Sequence, residues 1–183
     1  VLITAPHASV HRRMGKLKRQ EFFTGAIAVS LHSVTGAHVL FTNALMERDP
    51  NFYDDSPFKS RMESILSGSG IRLVLDIHGT GTEKRGYIYP GVGRGNECLF
   101  GNEHYLDLLG HHAERNSLRM GGTHVFPAAR QMTVAKYAAG KLDVPAMQIE
   151  INKRLRDPEN DPESYISLLR CLSDFISGLD LSG

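Results

Sequence analysis

Three apolar runs in this chain each lead to a side chain that can ionise or bind metal. His7 follows Val1-Leu-Ile-Thr-Ala-Pro6, His78 follows Ile71-Arg-Leu-Val-Leu-Asp-Ile77, and Glu150 lies within Pro145-Ala-Met-Gln-Ile-Glu-Ile151. Runs of this length and apolarity predict buried strands of a parallel or mixed sheet. A titratable group at such a place must be hydrogen-bonded, ion-paired or metal-bound, because an isolated charge is expensive to bury. Ligands of open α/β sheets collect at the carboxyl ends of the strands. The three residues are therefore expected to converge on one site.

The remaining segments alternate between strand and helix patterns. Strands are expected over residues 1–5, 37–42, 71–77, 86–90 and 146–151. Helices are expected over 21–34 (closed by Gly36), 57–66, 103–119 and 132–140. A last helix follows Asp161, with Pro162 at its first position and Tyr165, Leu168, Leu169, Leu172, Phe175 and Ile176 as its apolar stripe. Loops fall at 46–55, 79–85, 91–96 and 157–161. This alternation predicts a single three-layer α/β/α domain over residues 1–183, built on a mainly parallel mixed sheet.

Composition narrows the function classes. A length of 183 residues suffices for one sizeable core. A net charge of +1 gives no global attraction to nucleic acid or an anionic membrane. No apolar run approaches the roughly 20 residues of a membrane helix, and no secretory signal pattern opens the chain. Two cysteines, Cys98 and Cys171, form no C-x-x-C pair and suit a reducing, cytoplasmic setting. Charge is nevertheless uneven, with His11, Arg12, Arg13, Lys16, Lys18 and Arg19 crowded just after His7. That stretch reads either as a solvated basic loop or as a source of cations that attract an anionic substrate. Without interleaved aromatics it is a poor nucleic-acid surface.

The chemistry concentrates at the run ends. Asp76 and His78 are two apart and share a strand face. A carboxylate beside a metal-binding imidazole fixes its tautomer and orientation, and Gly79 and Gly81 leave room for a ligand. Catalytic zinc commonly takes two His and one carboxylate with an open position, a set that His7, Glu21 and His78 would fill. A Glu at a helix start is otherwise simply favourable with the helix dipole. Glu150, flanked by Ile149 and Ile151, suits general acid/base work if burial raises its pKa; a salt bridge to Lys153, Arg154 or Arg156 is the plainer alternative. Arg48 and Asn51, or Arg85, could bind a substrate carboxylate, though Asp49-Pro50-Asn51 also suits a β-turn. Ser9 beside His7 invites a serine-hydrolase reading, but no G-x-S-x-G elbow occurs. Gly91-Val-Gly-Arg-Gly95 lacks the context of a dinucleotide fingerprint.

The ordered set Pro6-His7-Ala8-Ser9, Glu21-Phe-Phe-Thr24-Gly25, Arg48-Asp-Pro-Asn51, Asp76-Ile-His78-Gly79 and Gln148-Ile-Glu150-Ile151-Asn152 resembles the N-formylglutamate amidohydrolase family. The resemblance runs from His7 to about Arg156. It implies the fold of zinc carboxypeptidase and phosphorylase/hydrolase-like proteins, with Zn2+ held by His7, Glu21 and His78. It further implies Glu150 as the general acid/base and the Arg48/Asn51 region near a substrate carboxylate. The expected activity is hydrolysis of an amide bond in a small N-acyl amino acid or peptide-like substrate. The alternative is a catalytically inactive or metal-free ligand-binding protein of the same fold. Homo-oligomerisation stays open.

Overall fold

Period-two alternation along the central strands sets the layers. The computed structural model describes residues 1–81 and 87–179. Strands β1 (Leu2–Ala5), β4 (His38–Phe41), β5 (Val74–Thr80), β6 (Tyr87–Gly91), β7 (Arg119–Met120) and β8 (Ala146–Asn152) form one sheet in the order β4-β1-β5-β8-β6-β7. The first four in that order run parallel, and β6 pairs antiparallel with β8. Odd-numbered residues (Ile3, Ala5, Leu75, Ile77, Met147, Ile149 and Ile151) are buried in one core cluster with Ile27, Leu31, Leu109 and Phe175. These come from helices α1 (Thr24–Thr35), α3 (His104–Arg115) and α5 (Pro162–Gly178). Even-numbered Leu2, Val74 and Ala146 join a second cluster with Phe58, Met62, Val134 and Ala138 of α2 (Pro57–Leu66) and α4 (Val134–Leu142). The result is the expected three-layer α/β/α arrangement on a mixed, mostly parallel sheet.

The same parity creates the site. Beyond Leu2, Val74 and Ala146, the even positions of β1, β5 and β8 are Thr4, Asp76, His78, Thr80, Gln148, Glu150 and Asn152. Register aligns Thr4 with Asp76 and Gln148, and His78 with Glu150 and then Tyr89. A polar stripe therefore crosses the α2/α4 face at the carboxyl ends of the strands.

Capping agrees with the sequence. Gly36 closes α1 at φ 71°, its N–H donating to the His32 carbonyl. The hydroxyl of Ser56 accepts from Lys59 N at the start of α2, and Asp161 accepts from Ser164 N at the start of α5. Lys59 is fully buried, and its ammonium donates to the Tyr53 and Met132 carbonyls (2.9 and 2.6 Å). It thus joins the two loops that flank the polar stripe.

Several elements depart from expectation. The basic stretch is an antiparallel hairpin, β2 (His11–Arg13) and β3 (Lys16–Lys18), and not a solvated loop. Its two-residue turn, Met14-Gly15, has positive φ at both positions (50° and 73°), as a primed turn requires. Helix α1 starts at Thr24, because Phe23 takes the left-handed conformation (φ 67°) and breaks the helical path after Glu21. Strand β5 begins at Val74 and continues past His78 to Thr80, since β8 pairs with it as far as Asn152. The helix expected to reach residue 119 ends at Arg115; Ser117 turns the chain at φ 58° and Arg119 enters β7. A 3-10 segment, Arg94–Leu99, occupies part of the expected glycine loop. Among the described residues no helix is long and apolar enough to cross a membrane.

Candidate metal centre

His7 leaves β1 in a turn, and its carbonyl accepts from Glu21 N at 2.9 Å. This backbone bond brings together two residues that the hairpin separates in sequence. Glu21 lies just ahead of α1, with Thr24 Oγ1 donating to its carbonyl at 2.8 Å. Its carboxylate then reaches both imidazoles. Oε1 is 2.9 Å from His7 Nδ1, and Oε2 is 3.1 Å from His78 Nδ1. Gly79 N donates to Oε2 at 2.8 Å and fixes the carboxylate plane.

Each imidazole is held from behind by a buried carboxylate. His7 Nε2 is 2.8 Å from Asp49 Oδ1, and His78 Nε2 is 3.1 Å from Asp76 Oδ2. Asp76 accepts in turn from Thr4 Oγ1 at 2.6 Å. Asp49 accepts from Asn51 N (2.8 Å) and Arg13 Nε (2.5 Å). With Nε2–H donated to an Asp, each ring keeps Nδ1 for whatever lies beside Glu21.

The charges respond accordingly. Burial opposes ionisation of Glu21, but the imidazoles of His78 and His7 outweigh it and hold the carboxyl well below the usual range. Burial also disfavours protonated His7 and His78. The carboxylates around them win, Glu21 and Asp49 for His7 and Asp76 and Glu21 for His78, and raise both rings above an ordinary histidine. The protons shared between Nδ1 and Glu21 are those a divalent cation would replace.

The donor set fits zinc. Two imidazole nitrogens and one carboxylate oxygen lie within 4.8 Å of one another. Their contacts of 2.9 and 3.1 Å approach the ~3.3 Å that separates neighbouring ligands about 2.0 Å from a tetrahedral zinc. His7, His11 and Asp49 form a second cluster of suitable atoms. There Asp49 already serves two N–H donors besides His7, one of them the Arg13 guanidinium, and His11 stacks on His7 with ring centroids 4.0 Å apart. A cation beside that guanidinium would meet like charge, so the Glu21 cluster is the better metal site.

Glu150 stands beside this centre, in register with His78. Burial raises its carboxyl to about 7, with the nearby His78 opposing and Glu21 adding to the rise. Its hydrogen-bond donor is Gln148 Nε2 at 3.1 Å. The expected alternative, a salt bridge to the following cations, is not seen among the described residues: Arg154 pairs with Asp161, and Arg156 donates to the carbonyls of Phe22, Ile151 and Thr80. Glu150 and Gln148 open on a cleft of about 400 Å³ that Arg13, Asn51, His124 and Arg130 also line. Gln148 is 4% exposed and its Oε1 has no hydrogen-bond partner among the described residues.

The structure thus brings His7, Glu21, His78, Asp76, Asn51 and Glu150 together. Asn51 is placed by Val134 N, which donates to its Oδ1, and its Nδ2 lies 3.0 Å from His78 Nε2. Arg48 is not brought in: it is exposed, stacks on Tyr53 and pairs with Asp55. Arg85 lies outside the described residues. Sequence reasoning did not single out Asp49, Arg130 or the structural use of Arg156; Arg13, a member of the basic stretch read as a possible source of site cations, lines the cleft. The available signal for Asp49 was its place beside Asn51 in a polar loop. The serine-hydrolase alternative loses support, and neither cysteine is poised as a nucleophile. Ser9 Oγ donates to the Ala44 carbonyl, and burial pushes the Cys98 and Cys171 thiols up to about 11 and about 12.

No family model and no curated protein matches the chain. Solved structures do. An N-formylglutamate amidohydrolase from Ralstonia eutropha JMP134 superposes with a TM-score of 0.66 at 13% identity, covering 96% of this chain and 90% of its own. The two share a fold. A bacteriophage poly-gamma-glutamate hydrolase gives 0.64 at 14% identity, covering 96% and 82%. The catalytic domain of an N-acetylmuramoyl-L-alanine amidase from Bacillus (Paenibacillus) polymyxa var. colistinus gives 0.54 at 13%, covering 96% of each chain. At these identities the likeness is one of fold.

Proposed function

We propose that the protein is a zinc-dependent amidohydrolase acting on a carboxylate-bearing N-acyl amino acid or peptide-like substrate. The observation that carries this reading is the common orientation of the two imidazoles. Each turns Nδ1 to Glu21 and Nε2 to a buried aspartate, beside a half-buried Glu150 on a cleft. A purely structural histidine pair would not need three carboxylates and a neighbouring cavity. The amide-hydrolysing activities named for the structural neighbours agree with this chemistry.

Zinc held by His7, Glu21 and His78 would supply Lewis acidity, polarising an amide carbonyl and making water acidic enough to ionise near neutral pH. Glu150 carries the proton. With its carboxyl poised at about 7, it accepts a proton from the attacking water and returns it to the departing nitrogen. Gln148 Nε2 steadies Glu150, while Oε1 offers an acceptor to a substrate N–H. Arg130 and His124 bring cationic or protonatable groups to the cleft, where a substrate carboxylate would be attracted. Asp49 and Asp76 keep the imidazoles aimed.

The test is metal content and turnover on a panel of N-acyl amino acids, for wild type, His78→Ala and Glu150→Gln. Wild type should hold about one zinc per chain, and His78→Ala should lose it. Glu150→Gln should keep zinc while turnover falls by at least ~100-fold, the lower range for a lost proton carrier. No metal after reconstitution, or near wild-type turnover in Glu150→Gln, would overturn the reading.

A further inference from the structure

The hairpin between the two first ligands is cationic on the face turned to the site. Residues 10–20 hold six cations or protonatable groups, no acid and no aromatic. Register pairs Arg13 with Lys16 and His11 with Lys18. Cross-strand partners in an antiparallel pair present their side chains to the same face. His11 and Arg13 point inward: His11 stacks on His7, and Arg13 binds Asp49 and lines the cleft. Lys16 and Lys18 therefore extend that face outward from the cleft. Both are exposed, as is Arg19, and none of the three forms an ion pair among the described residues. Arg12, on the opposite face with Leu17, pairs with Glu47.

We propose that this hairpin face is an extended anion-binding surface that grips an acidic polyamide chain while one of its amide bonds lies in the cleft. The inference rests on the cleft being the amide-cleaving site, and it makes the substrate a polymer of carboxylate-bearing units. Charge and geometry both favour such an occupant. Lys16 and Lys18 are two residues apart on one strand face, about 6.7 Å. An extended acidic peptide presents same-face carboxylates at that same repeat. A row of free cations raises the local concentration of a polyanion and guides it toward Arg13 and the cleft. A single amino-acid substrate would leave Lys16 and Lys18 without use. A nucleic acid fits less well, because no aromatic side chain on the hairpin offers a base a stacking partner.

The experiment measures binding of short fluorescein-labelled poly-L-glutamate to the full chain by anisotropy. The chain carries Glu150→Gln so that turnover does not remove the probe. We expect saturable binding at low salt that weakens as salt rises and the Debye length falls from about 10 Å at 0.1 M to about 3 Å at 1 M. Adding Lys16→Glu and Lys18→Glu should weaken binding by about tenfold or more, and Lys16→Gln with Lys18→Gln by about half that on a logarithmic scale. Circular dichroism checks that the exposed substitutions leave the fold intact; should the Glu pair unfold the hairpin, the Gln pair carries the test. Polyglutamate binding that is unchanged in the lysine variants overturns the proposal. So does labelled duplex DNA binding more tightly than polyglutamate through the same lysines, which would make the face a nucleic-acid surface. The readout needs no metal and no turnover. No amide cleavage by the zinc-reconstituted chain with Glu150 intact, alongside lysine-dependent binding, would sink the reading of the cleft, whereas cleavage by that chain with lysine-independent binding would sink the hairpin proposal.

Discussion

Glu21→Gln removes the carboxylate that faces both Nδ1 atoms. Four ligands together give structural zinc roughly 10–16 kcal/mol. One of them is then worth about 2.5–4 kcal/mol, a loss on the order of 10²–10³-fold in affinity. Asp49→Asn leaves all three ligands in place. It keeps an acceptor for His7 Nε2 but drops the charge behind that ring, a change that costs about 10–100-fold. His11→Ala takes away only the ring stacked on His7, at most about tenfold for one aromatic pair. The expected order of damage is Glu21, then Asp49, then His11. Competition for zinc against a chromophoric chelator at fixed pH measures it, because protons compete for the same ligands. An order in which Asp49→Asn and His11→Ala abolish binding while Glu21→Gln retains it would refute the reasoning and move the cation to the His7/His11/Asp49 cluster.

Other substitutions probe the supports. A Cβ on residue 79 would overlap the Arg156 guanidinium, which three carbonyls hold in place; Gly79→Ala should lower unfolding free energy by about 2–4 kcal/mol, the range for one or two displaced charged hydrogen bonds. Its cost should shrink in an Arg156→Ala background, and strict additivity in that cycle would contradict the clash. Lys59→Met strands the Tyr53 and Met132 carbonyls and should cost about 2–5 kcal/mol near pH 7, read by urea unfolding. Burial lowers the Lys59 ammonium to about 8 from 10.5. Between those values the unfolded chain holds the proton that the folded one has released, so wild type gains stability over Lys59→Met as pH rises through that window. A gap that narrows there would count against this account. Arg48→Ala should change stability by less than about 0.5 kcal/mol and leave turnover unaltered, since its ion pair with Asp55 is exposed.

The strand-borne half of the site was legible because periodicity encodes it. Asp76, His78 and Glu150 interrupt apolar runs at positions of one parity, and burying a charge on a strand demands a partner. Glu21 was legible as a residue type but not as a place. An ordinary helix start would have included it, and only the left-handed Phe23 keeps it free to reach both imidazoles. Asp49 was hidden, and His11 and Arg13 stood out only as two of six basic residues in one stretch, because their elements carry no apolar signature. A hairpin of two three-residue strands, turned by Met14-Gly15 in place of the usual Asn-Gly or Asp-Gly, reads as a basic loop. Which arginine reaches the cleft depends on tertiary placement alone. Arg48 and Arg130 look alike in sequence; one stacks on Tyr53 and the other lines the cavity.

The hydrogen bond from Glu21 N to the His7 carbonyl closes residues 8–20 into a loop tied at its base. What happens at the far end of a tied loop need not be felt at the knot. The turn at Met14-Gly15 could be lengthened, shortened or exchanged while His7 and Glu21 keep their separation. If the hairpin grips the substrate as proposed, chemistry and substrate choice occupy separable lengths of chain. Grafting a differently charged tip between the same two anchors would be the economical way to retarget the site.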